Sequence, residues 1–341
     1  MGEMTSWERV MSAIALQEVD RTPVIPQLTY AAANFMNLGI DECLNDLERQ
    51  RITLMNAREK GGYDGIYAGW EGSFTLVTNS LGAPMKKYTD KPPSIEEPLI
   101  KNKKDLAELL AFDPKSERIQ LNMQLIKTLK TETKDIPILS YIPAPFTLGS
   151  LLLGVNEFMI TLMRDKENIL EDLLQYSYET TLSFALAKIE AGIDMITIAD
   201  PSGSSSMISP KLFGKLSQPL LKELISELKK KGPKIKVGLH ICGNTKPILS
   251  KMVETGADYL EIDSEIDLTW VQETLDEKVC LIGNISTSDL AMKTSQEIKK
   301  QCEALLEKMK PGFILSSGCE VSYATPLENI QVMVESVKEF K

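Results

Sequence analysis

The chain has 341 residues, 43% of them apolar and 25% charged, enough for one large hydrophobic core under an ordinarily solvated surface. A formal net charge of -10 excludes the basic face of a nucleic-acid binder and a polybasic membrane anchor. No apolar run is long enough to span a bilayer, the first residues lack the basic start and cleavage site of a secretory signal, and five cysteines are too sparse for a disulfide scaffold, so the expected location is the cytoplasm.

In chain order, Trp7, Val10, Met11, Ile14 and Leu16 recur near a 3.6-residue period and predict an N-terminal helix. Residues 20–23 break it, and a short extended segment follows at 24–28. A charged helix at about 41–60 leads to a second strand candidate at 63–69. Residues 69–98, with Gly72, Gly82, Pro84, Pro92, Pro93 and Pro98, read as a loop or hairpin excursion. Beyond it the pattern becomes regular. Apolar runs at 136–142, 194–199, 236–241, 259–262, 279–283 and 313–317 alternate with amphipathic helices at 168–190, 210–231, 245–255, 268–275, 295–309 and 326–340. Such alternation predicts a parallel sheet. With the two early strands the count is eight, which predicts an α/β fold, a (β/α)8 TIM barrel. It forms a single domain over residues 1–341 with an N-terminal helical extension. A doubly wound open sheet is disfavoured, because no glycine-rich phosphate loop follows the first strand.

In a barrel of this kind chemistry sits where strands end and βα loops begin. Polar residues stand at those places: Asp200, His240 and Cys242, Glu261 and Asp263, Asn284, and Cys319. His240 is the only histidine. In a strand, residues i and i+2 point to the same side, so His240 and Cys242 can meet one ion, and a closed barrel brings Cys319 to the same mouth. One imidazole and two thiolates make a catalytic zinc set with an open fourth position. The competing reading makes His240 a satisfied core histidine and the two cysteines small buried apolar residues. Asp263 either fills the fourth zinc position, supports a ligand from behind, or caps a loop. Glu261 is its rival, and water or substrate are the other candidates. Asp200 either contacts substrate or cofactor or orients a loop, and Asn284 is a polar contact for a cofactor. Cys43, Cys280 and Cys302 read as packing residues.

The run Val-Gly-Leu-His-Ile-Cys-Gly-Asn-Thr at 237–245 resembles the methylcobamide:coenzyme M methyltransferases of the uroporphyrinogen decarboxylase superfamily. So do Ile-Ala-Asp-Pro at 198–201, Leu-Ile-Gly-Asn-Ile-Ser at 281–286, Ser-Gly-Cys-Glu at 317–320 and Thr-Pro-Leu-Glu-Asn at 325–329. The resemblance covers nearly the whole chain. It implies a TIM barrel with zinc held by His240, Cys242 and Cys319. It also implies methyl transfer from a methylcobalamin-type corrinoid, carried by a partner protein, to a small thiol, with coenzyme M as the leading acceptor. The alternatives are a corrinoid-dependent demethylase acting on a methoxyl, methanol or methylamine donor, and a uroporphyrinogen decarboxylase. The decarboxylase branch carries an arginine-rich N-terminal segment for substrate carboxylates, whereas Pro26-Gln-Leu-Thr-Tyr-Ala-Ala has no arginine.

Overall fold

Strands buried on both faces read as continuous apolar runs, and those runs form the sheet here. The computed structural model describes residues 2–69 and 74–340; Gly72 of the irregular stretch lies outside the described residues. The strands are β1 (Ile66–Tyr67), β2 (Met85–Lys86), β3 (Ser94–Ile95), β4 (Ile138–Pro143), β5 (Met195–Ala199), β6 (Lys236–Ile241), β7 (Tyr259–Ile262), β8 (Cys280–Ile285) and β9 (Phe313–Ser317). Seven of them run parallel in the order β1-β4-β5-β6-β7-β8-β9, while β2 and β3 form a separate antiparallel pair within the hairpin excursion.

The eighth staff of the barrel is shorter than the 24–28 segment predicts. Val24 bridges Leu315 of β9, with Ile25 N donating to Leu315 O and Leu315 N to Pro23 O, each at 2.9 Å. On the other side Asp64 N donates to Val24 O at 2.7 Å, just before β1. Pro23 and Pro26 have no N–H to donate, so the ladder is confined to Val24 and Ile25. The Asp64 carboxylate completes the closure. It accepts from Val24 N at 2.9 Å and pairs with Arg9 and Arg21, each at 2.8 Å. The fold class is therefore the (β/α)8 barrel that the alternation predicts.

Two apolar clusters result. The larger fills the space between the sheet and the surrounding helices. The smaller lies inside the barrel and contains Ile25, Tyr67, Leu139, Tyr141, Met195, Tyr259, Cys280, Ile282 and Ile314. Helix Ser6–Ile14 adds Val10, Ala13 and Ile14 to this inner cluster, so the N-terminal extension plugs the barrel. Gly238 faces inward because a Cβ there would lie 2.0 Å from the Tyr259 ring.

The helices follow the expected alternation with local differences. Residues 41–60 split into Ile40–Cys43 and Leu47–Gly61. The 210–231 segment contains a π-helical turn at Phe213–Ser217, and 245–255 begins as a 3-10 turn at Lys246–Ile248. Helices Glu117–Glu132, Pro145–Leu153 and Val155–Met163 add to the predicted set. Among the described residues no single helix is long and apolar enough to cross a membrane.

Removing one partner of a buried ion pair leaves an uncompensated charge. Asp64→Ala leaves Arg9 its pair with Asp20 but takes away the acceptor for Val24 N and the partner of Arg21, so denaturant unfolding should show a loss of about 1–3 kcal/mol. Lys299→Ala, which breaks the exposed pair with Glu339, should leave the unfolding midpoint close to native in the same measurement. Equal costs for the two variants would refute the closure role.

Candidate metal centre

His240 is the fifth residue of β6, on the same face as Gly238, and projects into the barrel with only 4% of its surface exposed. Cys242 follows one residue past the strand end, and Cys319 stands two residues past the end of β9. The three side chains converge. His240 Nε2 lies 3.0 Å from Cys242 Sγ and 3.8 Å from Cys319 Sγ, and the two sulfurs are 3.7 Å apart. A tetrahedral zinc with bonds of about 2.3 Å to sulfur and about 2.0 Å to nitrogen spans edges of roughly 3.8 and 3.5 Å, so the donor set fits that ion. It is the one group among the described residues whose ligand atoms all lie within 4.8 Å of one another.

Behind the imidazole, His240 Nδ1 is buried without a hydrogen-bond partner, and Glu261 Oε2 of β7 faces it at 3.5 Å. Glu261 is fully buried. It accepts hydrogen bonds from Tyr67 and Thr197 on Oε1, both at 2.8 Å, and from Tyr141 on Oε2 at 3.1 Å. Sequence reading names Glu261 but none of its hydroxyl donors, which come from three other strands. Also unmarked in the sequence is Glu320, a partly buried neighbour of Cys319 that accepts from the Thr29 and Tyr30 hydroxyls. Burial pushes the Glu320 carboxyl up to about 7 against those two hydroxyls.

The other expected site residues are occupied within the protein. Asp263 does not join the donor cluster: its carboxylate accepts from Gly243 N at 2.9 Å and from Glu265 N at 3.0 Å. Those bonds pin the turn after Cys242, the loop-capping role that is one of the alternatives for it. Asp200 is fully buried, with one oxygen accepting from Thr147 at 2.6 Å and the other from Ser217 at 2.5 Å. Loop orientation is one of the two roles expected of it, and the π-helical turn supplies Ser217. Asn284 Nδ2 donates to Asp263 O at 3.0 Å and Ile266 O at 2.7 Å, so its amide ties down the β7 loop. Cys43, Cys280 and Cys302 are buried packing residues, and burial pushes each of their thiols up.

The hydrogen bond from Cys242, aided by His240, holds the Cys319 thiol well below its ordinary range despite burial. Cys242, bonded to Cys319 and partly buried, is pushed up. Burial would lower His240, but the adjoining Cys319 and the Glu261 carboxylate carry it up to about 9. An ordinary thiol loses thiolate about tenfold per pH unit below its pKa, whereas Cys319 remains ionised as pH falls. In chelator-treated protein at pH 6, iodoacetamide should therefore label the Cys242–Cys319 pair first. Peptide mass mapping should find Cys43, Cys280 and Cys302 unmodified, and prior addition of zinc should protect the pair. Labelling in the reverse order would refute this electrostatic picture.

A family model described as "Uroporphyrinogen decarboxylase (URO-D)" matches residues 5–340. The chain is 27% identical to "Methylcobamide:CoM methyltransferase MtbA" of Methanosarcina acetivorans over 348 aligned positions, covering 100% of both chains. It is 24% identical to "Uroporphyrinogen decarboxylase" of Psychromonas ingrahamii, covering 97% of this chain and 96% of that one. A solved "methyltransferase from Methanosarcina mazei" superposes with a TM-score of 0.88 at 25% identity, covering 99% of each chain. This barrel, closed through Val24 and carrying its donors at the strand ends, belongs to the uroporphyrinogen decarboxylase family.

Proposed function

We propose that this chain is a methyltransferase that moves a methyl group from a methyl-Co(III) corrinoid to a thiol, with coenzyme M the leading acceptor. The observation that carries the reading is the convergence of His240, Cys242 and Cys319 at the barrel mouth. Full-length similarity to proteins named methylcobamide:CoM methyltransferases supports it. So does a relative named "Methylated-thiol--coenzyme M methyltransferase", 24% identical over 99% of this chain.

His240, Cys242 and Cys319 would hold a zinc ion. When bound, zinc supplies a Lewis acid that lowers the pKa of an incoming thiol, so that the thiolate is present at neutral pH. The remaining work falls to the protein. Two thiolate donors keep the site electron-rich, so that the substrate sulfur stays nucleophilic. Asp263 fixes the Gly243 amide, and Asn284 holds the carbonyls of residues 263 and 266, so the loops beside the cluster are set before substrate arrives. The substrate thiolate attacks the methyl carbon in line. A sulfur–carbon bond forms, the cobalt–carbon bond breaks, and its electron pair stays on cobalt, which leaves as Co(I). The thiol's proton passes to solvent. The corrinoid carries the difficult chemistry, and the barrel supplies orientation. A separate corrinoid protein presenting its cofactor to the mouth is part of this reading.

Purified protein should bind one zinc per chain and demethylate free methylcobalamin in the presence of a thiol, coenzyme M being the first of a panel that includes homocysteine. Cys242→Ala and Cys319→Ala should each lose zinc and reduce the rate by at least about 100-fold. Their circular dichroism should stay native, because both ligands stand beyond strand ends. Full zinc occupancy in either variant overturns the ligand assignment. Corrinoid methylation from an O-methyl or N-methyl donor without thiol dependence overturns the direction of transfer, and carbon dioxide release from a porphyrinogen overturns the reaction class.

A further inference from the structure

A carboxylate with no exposed surface must find partners for its oxygens inside the protein, because an unpaired buried charge is costly. Glu261 has roughly four lone-pair positions. Tyr67 and Thr197 fill the two on Oε1, and Tyr141 fills one on Oε2. The donors are themselves held. The Tyr67 and Tyr141 rings stack at 4.9 Å and 7°, and the Thr197 hydroxyl, having given its proton to Glu261, accepts from Tyr259 at 2.8 Å. The one remaining position on Oε2 faces His240 Nδ1, the buried nitrogen without a partner. Among the described residues no other acceptor is offered to that nitrogen. Both sulfurs lie on the Nε2 side of the ring.

We infer that Glu261 is a positioning residue for the metal centre: the cage of Tyr67, Tyr141 and Thr197 turns its last lone pair onto His240 Nδ1, which fixes the imidazole with Nδ1 protonated and Nε2 free to bind metal. This rests on the zinc reading above. It excludes Glu261 as a metal ligand, because its carboxylate lies behind the ring rather than beside the sulfurs. A carboxylate behind a ligating histidine raises the basicity of the nitrogen in front and orients the ring, and loss of such a partner typically weakens metal affinity about 10–100-fold. The cage is also why the partner is a glutamate. Its two oxygens can take the three hydroxyls and still leave one lone pair for the ring, which a shorter or singly accepting side chain could not do.

The test is a pair of measurements on full-length protein. Zinc affinity is read by competition with a chromophoric chelator for the native chain and for Glu261→Gln, which keeps the shape and removes the charge. The variant should bind zinc 10–100-fold more weakly. Because His240 is the only histidine, [15N]histidine labelling reports on this ring alone. In native zinc-loaded protein the Nδ1 proton should be shifted downfield and protected from exchange with water; in the variant it should move upfield and exchange. Native affinity in Glu261→Gln overturns the inference. So does a freely exchanging Nδ1 proton in the native protein, a readout that needs no variant to fold. Failure of the native chain to take up zinc would instead sink the zinc reading itself.

Discussion

The barrel is closed by very few bonds, and the site depends on that closure. Residues 23–25 offer two ladder bonds to Leu315 on one side and one to Asp64 on the other. Flanking prolines prevent a longer ladder. Asp64 compensates with side-chain acceptors for Val24 N and two guanidinium groups, one from the helix that plugs the barrel. If the ring opened there, β9 would become an edge strand. Cys319 would then be free to move away from β6, and the sulfurs at positions 242 and 319 would have no reason to stay 3.7 Å apart.

Given closure, strand parity does the rest. Side chains alternate across a strand, so Gly238 and His240 of β6 and Tyr259 and Glu261 of β7 all face inward. Pairing of His240 with Glu261 in the parallel register places the carboxylate beside the imidazole. Gly238 leaves room for the Tyr259 ring beneath them. The donor set at the mouth thus stands on a polar layer inside an otherwise apolar barrel.

The alternation of buried runs and amphipathic helices was readable because a sheet covered on both faces must be apolar along its length. The ends of β6 and β9 were readable for the same reason, and with them His240, Cys242 and Cys319. Helix Glu117–Glu132 carried a usable signal, with Ile119, Met123, Ile126 and Leu129 near helical spacing, yet the charged residues between them mask it. The turn role of Asp263 also had a local mark, since its carboxylate takes the amide two residues on. What no local pattern carries is the set of hydroxyls around Glu261 or the pairing of Glu320 with Thr29 and Tyr30. Those partners lie 64 to 291 positions away in sequence. The π-helical turn that delivers Ser217 to Asp200 is likewise a tertiary adjustment in a segment whose pattern is plainly helical.

This arrangement separates what the family's fold supplies from what this chain does with it. A barrel of the same topology accommodates relatives named as decarboxylases and as methyltransferases, so the fold alone does not choose a reaction. The choice lies in which side chains occupy the strand ends and in what stands behind them. Cys242 and Cys319 lie beyond their strands, where a change alters the donor set and leaves the packing intact. His240 and Glu261 lie within theirs, joined to the barrel interior through Tyr67, Tyr141 and Thr197. A reaction that had no use for an oriented imidazole would gain nothing from burying a carboxylate beside it, and an apolar residue there would pack at lower cost.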